Sequence, residues 1–102
     1  MLIIKKLSCM IEDELNDAER YIDNALKEKE ERPELARLFA NLSNQEMEHM
    51  RMLHEAVTEM IDQYRQKNGE PPEAMMAVYN YLHEKNIDHS AKIRVMQNLF
   101  KS

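Results

Sequence analysis

Turn-forming residues are scarce in this sequence. One glycine and three prolines among 102 residues leave almost nothing for the hairpin turns that a sheet needs, so sheet architectures are excluded. The single cysteine, Cys9, rules out an intrachain disulfide, and no basic, apolar and small-residue succession reads as a signal peptide; the expected location is the reducing cytoplasm. Long apolar runs are missing as well. Stretches such as Met1-Leu2-Ile3-Ile4 fall far short of the roughly 20 residues of a membrane span, and no membrane association is predicted. Tryptophan is absent and aromatics make up 6% of the chain, too few for a base-stacking platform. Nineteen acidic residues outnumber 14 basic ones, and the basic ones are scattered among the acids, so no cationic surface is available to track phosphates. Nucleic acid is not an expected partner.

What is abundant favours helix: 14 glutamates and nine methionines, together with Leu, Ala, Lys and Arg. The length predicts one domain over residues 1–102. A chain this short buries only about 60 to 70% of its unfolded surface, so an interior rich in polar ligands needs help from a metal or a second subunit. Punctuation falls at Glu31-Arg32-Pro33 and at Asn68-Gly69-Glu70-Pro71-Pro72, since Pro opens helices and Gly closes them. The predicted class is all-α: a long antiparallel hairpin of helices over 3–30 and 33–67, then a C-terminal segment over 72–85 and 88–101 with a break near Asn86-Ile87-Asp88.

Three residues interrupt the apolar stripes. In the first segment the stripe runs through Ile4, Leu7, Ile11, Glu14, Ala18, Tyr21 and Ala25, and in the second through Leu35, Leu38, Leu42, Glu46, His49, Leu53, Ala56, Met60 and Tyr64. The third segment offers Met75, Val78, Tyr79, Leu82, Ile87, Ala91, Val95 and Leu99, an ordinary packing surface without an acid. Glu14 lies eighteen residues before Arg32, and Glu46 and His49 lie fourteen and seventeen after it. In a hairpin with about 1.5 Å rise per residue, all three fall within roughly one turn of the same height. The prediction is that they meet.

Two carboxylates converging in an apolar seam either stay neutral or need a cation. Glu46 and His49 share a helix face as Glu-x-x-His, so one oxygen and one imidazole nitrogen can hold one ion. By chance a Glu stands three positions before a given His about one time in seven in this composition; the placement on facing stripes carries more weight than the motif. Di-iron helical bundles need a Glu from each of two helices and Glu-x-x-His from each of two more, of which this chain holds half. A two-fold homodimer would supply four Glu and two His, balancing two divalent ions. Carboxylate and imidazole donors suit iron or manganese, and zinc would also bind. Tyr21 is a candidate to donate a hydrogen bond to a ligating carboxylate. The methionines are assigned to packing, His54, Glu55 and Glu59 to a solvated face, and Cys9 to a half-buried position.

These residues resemble the ferritin-like superfamily, in particular rubrerythrins and half-length encapsulated ferritins. The resemblance rests on Glu14-Leu15-Asn16-Asp17-Ala18-Glu19-Arg20-Tyr21, on Leu38-Phe39 followed by Asn44-Gln45-Glu46-Met47-Glu48-His49, and on the turn Pro33-Glu34-Leu35, and it covers roughly residues 10–65. It implies a ferritin-like four-helix bundle completed by dimerisation, with two irons per dimer. In that scheme Glu14 is the first-helix ligand, Glu46 the bridging carboxylate and His49 the terminal imidazole. The implied activity is oxidation of ferrous iron by oxygen or peroxide, an oxidoreductase of ferroxidase type. The chain also departs from the pattern. No second Glu and Glu-x-x-His set follows Pro72, which favours the half-length members; Asn16 replaces an acid, which weakens a role in iron uptake; no Cys-rich rubredoxin segment is present. The rival expectations are a metal-free helical interaction module that docks a partner through Met-rich surfaces and the third segment, and a regulatory or stress protein with structural zinc.

Overall fold

The computed structural model describes residues 2–102. Three helices follow in chain order: α1 over Leu2–Glu28, α2 over Pro33–Asn68 and α3 over Glu73–Lys101. At 1.5 Å per residue the 36-residue α2 is about 54 Å long. It thereby accounts for the 56 Å long axis of a molecule only 19 by 18 Å across.

The two turns are closed by the residues that punctuate the sequence. After α1 the Arg32 amide donates to the Glu28 carbonyl at 2.8 Å and the Arg32 guanidinium pairs with the Glu28 carboxylate at 2.7 Å. Pro33 then opens α2, where its missing N–H costs nothing. At the far end Gly69 takes φ +78°, a conformation a side chain would resist, and its amide caps the Arg65 carbonyl at 2.9 Å. Because both turns are short, α2 runs antiparallel to α1, and α3 returns alongside α1. The Lys29 ammonium marks the end of that return by donating to the Phe100 and Ser102 carbonyls at 2.7 and 2.9 Å.

The core is narrow. From α1 it takes Ile4, Ile11, Leu15, Ala18, Ile22 and Ala25, spaced by whole turns on one face, and from α2 Ala36, Ala40, Met47, Val57 and Ile61. The α2 face that turns inward is one position beyond the predicted stripe: Leu35 and Leu38 are exposed while Ala36, Ala40 and Ser43 are buried. Small side chains let the two backbones approach closely, and the bulkier Leu row is left at the hairpin's open flank. Helix α3 packs mainly on α1 and meets α2 through a few side chains, its backbone standing further off. Its only fully buried hydrophobic residue is Ile93, with Gln97 beside it. Val78, Ile87, Val95 and Leu99, predicted to pack, face outward.

The predicted break near Asn86 is not there; α3 continues through Asn86-Ile87-Asp88 as one helix. Asn and Asp inside a helix cost about 0.7 kcal/mol or less each, far below the cost of Pro. Packing on either side of them, from Leu82 to Ile93 and through the His89 to Glu19 hydrogen bond of 2.8 Å, offsets that cost. No described helix is long and apolar enough to cross a membrane.

Candidate metal centre

Helix geometry carries Glu14, Glu46 and His49 to one point on the α1/α2 seam. Glu14 precedes Leu15, which is fully buried, so its carboxylate emerges at the edge of the core. Glu46 likewise precedes buried Met47, and His49 lies one turn further along α2. His49 Nδ1 is 3.5 Å from Glu14 Oε2 and 3.8 Å from Glu46 Oε2. One ligand atom from each residue lies within 4.8 Å of the other two. Donors about 2.1 Å from a shared ion stand about 3 to 4.2 Å apart, so a side-chain shift of under about 1 Å would close the set around a cation.

The electrostatics of the trio are unresolved by the protein alone. Glu14 Oε2 is buried and accepts from no permanent N–H or O–H donor among the described residues, leaving the Glu46 carboxyl able to bond to it only when one of the two is protonated; the His49 nitrogen is within ion-pair reach but outside hydrogen-bond geometry. The Glu46 carboxyl is pushed above the ordinary glutamate range. The first cause is its hydrogen-bonding contact with Glu14, followed by burial and the repulsion of the Glu14 charge, and His49 only partly opposes them. The two carboxylates are mostly shielded, at 26% and 18% side-chain exposure, but His49 is 54% exposed. The expectation of three inward-pointing groups is thus corrected for His49: it belongs to the row displaced outward with Leu35 and Leu38, and only a further element could cover it.

Tyr21 does not join the trio. Two helical turns separate it from Glu14, and its ring stacks on Phe39, centroids 6.4 Å apart, with the Arg20 guanidinium over the ring. Among the described residues its hydroxyl makes no hydrogen bond to Glu14. Cys9 is exposed rather than half-buried. His54, assigned to a solvated face, is partly buried and stacks on His83 of α3 at 4.9 Å. This follows from the inward face of α2 running one position beyond the predicted stripe, through Met47, Met50 and His54.

Two further polar groups were not legible as pairs. Glu19 on α1 accepts from His89 Nε2 at 2.8 Å and pairs with Lys92 at 3.4 Å, tying α3 to the hairpin. The His89 hydrogen bond, then the Lys92 charge and contact, hold the Glu19 carboxyl below its usual range against the opposing effect of burial. Gln97 and Ser43 meet in the core. The only sequence signal for either was a polar residue at a helix position flanked by apolar ones.

In comparisons with known proteins, no family model, no curated protein and no solved structure matches the chain. The resemblance to the ferritin-like superfamily therefore rests on the residues quoted for it.

Proposed function

We propose that this protein is a di-iron carboxylate protein whose centre is shared between two copies of the chain. The observation that carries the reading is the buried, unpartnered Glu14 Oε2 beside Glu46 and His49. A shielded carboxylate oxygen without a partner costs stability, and a cation relieves that cost while using the neighbouring carboxylate and imidazole as further donors. Two carboxylates and a neutral imidazole per chain balance one divalent ion. A second copy related by a two-fold axis would bring a second trio against the first.

The surroundings support a partner on this side. Along the same flank as the trio the hairpin presents Ile3, Met10, Leu35 and Leu38, all exposed, with Leu42, Leu53 and Met60 half-buried. Covering this row would also cover His49 and exclude water from the centre. In this arrangement Glu14, Glu46 and His49 would hold the metal, with Glu46 the carboxylate shared between the two copies' sites as the resemblance implies, and the apolar rim would keep water out. Ferrous iron held there would supply the electrons for reducing dioxygen or peroxide. Manganese or zinc would satisfy the same donors, and only redox chemistry separates them.

The test is metal content after expression with iron supplementation, with oxygen uptake on adding ferrous iron. About one iron per chain, lost in Glu46→Ala and His49→Ala variants that keep their helical circular dichroism, supports the proposal. Bound zinc without oxygen uptake supports a structural metal. Absence of metal at every supplementation favours a metal-free interaction module, a reading that the outward Val78, Tyr81, Ile87, Val95 and Leu99 of α3 also serve.

A further inference from the structure

A second site lies on the other side of the hairpin, where α3 leans on α1 and leaves a gap to α2. The gap is a cavity of about 350 Å³, open along one side and touched by all three helices. Its floor is apolar, from Ile11 and Met50, and the largely exposed Ile87 and Ala91 border its open side. One wall is a ladder of near-parallel rings: His54 stacks on His83 at 4.9 Å with 11° between planes, and His83 stacks on Tyr79 at 5.6 Å and 10°. Arg94 stands at the edge.

Charge is distributed unusually here. The chain carries 19 carboxylates, yet none lines this cavity, which instead holds one guanidinium and two imidazoles. Arg20, Arg32, Arg51 and Arg65 each hold a carboxylate of this chain. Arg94, like Arg37, has no ion pair or hydrogen bond among the described residues, but of the two only Arg94 stands at this cavity. A cation left unpaired at the rim of an apolar cavity, beside an aromatic wall, fits a ligand that is flat and apolar at one end and anionic at the other. A guanidinium fork matches a carboxylate in two parallel hydrogen bonds, and parallel rings admit another flat ring by stacking. The volume is at the small end of ligand cavities, enough for one or two fused rings.

We propose that the cavity between α2 and α3 binds a small aromatic carboxylate, its ring against the His54-His83-Tyr79 ladder and its carboxylate on Arg94. The site is separate from the metal centre and uses none of its three residues, so it stands or falls independently of the di-iron reading.

The probe is 1-naphthoate, with uncharged 1-naphthamide of the same shape as its control. Both are titrated into the full-length, isotope-labelled chain with a chelator present, and amide shifts are followed by NMR. Saturable naphthoate binding is expected below millimolar concentrations, with the largest shifts at Ser8, Ile87 and Ala91. Arg94→Gln, on an exposed side chain whose loss leaves the fold intact, is expected to weaken naphthoate about tenfold and leave naphthamide unchanged. His83→Ala is expected to weaken both. Failure to saturate in the millimolar range, equal affinity for the two probes, shifts located elsewhere, or indifference to Arg94→Gln would each overturn the assignment.

Discussion

Gln97 of α3 donates to Ser43 Oγ of α2 at 3.0 Å, and that same hydroxyl donates to the Ala18 carbonyl of α1 at 2.7 Å. Ser43 is fully buried and Gln97 nearly so. One hydroxyl therefore ties all three helices at a single level, inside a core with few large side chains. Ser43→Ala removes the only acceptor that the Gln97 amide has among the described residues. It is expected to destabilise the chain by about 1 to 3 kcal/mol, the cost of an orphaned polar group, read as a lower urea midpoint with an unchanged slope.

The metal trio predicts the opposite sign. With no cation bound, Glu14 and Glu46 oppose each other, so Glu14→Gln is expected to raise the stability of the metal-free chain by about 0.5 to 2 kcal/mol while abolishing metal uptake. Urea unfolding with a chelator, paired with metal analysis, checks both halves. A destabilised metal-free variant would show that the carboxylate has a structural partner instead.

Acid should weaken the α1/α3 contact through Glu19. Its folded pKa lies below the unfolded value, so the unfolded chain binds the extra proton first. The stability that Glu19 contributes is complete above the unfolded pKa and disappears as pH falls through the folded one. Melting temperature measured down to about pH 3 is expected to fall more steeply for the parent chain than for Glu19→Gln.

His83 predicts a loss at milder acidity. Burial first, then the neighbouring His54, hold its imidazole below the ordinary histidine value, with Glu84 partly opposing them. The neutral form is thus favoured in the folded chain. Its contribution is complete above the unfolded pKa of about 6.5 and is lost as pH falls through the lower folded value and His83 takes up its proton. His83→Phe keeps a ring against His54 and removes this titration, so its melting temperature should change less over that interval.

Self-association is checked on the open flank. Leu38 is 51% exposed, so Leu38→Glu should change the stability of the single chain by less than about 0.5 kcal/mol. If two copies cover the metal face, the same change places a charge in their contact. Sedimentation should then show the variant as a monomer, with its metal content reduced.

Much of the site could be read before any coordinates. Pro33 and Gly69 mark the helix ends, and a constant rise per residue places Glu14 level with Glu46 and His49 once the turn is known to be short. That relation is one-dimensional: it depends on counting along two helices and on nothing else in the molecule.

What the count could not settle is rotation. Two adjacent rows of α2 are both apolar, and packing alone chose Ala36, Ala40, Ser43 and Met47 over Leu35, Leu38 and Leu42, because small side chains let the backbones close up. That choice left His49 at the surface and turned His54 inward to meet His83. The continuity of α3 was decided in the same way, since weak helix formers at 86–88 are held by contacts to α1 that no local pattern encodes. Local propensity and spacing determined the helices and the height of the candidate ligands; side-chain size at the helix contacts determined which faces meet.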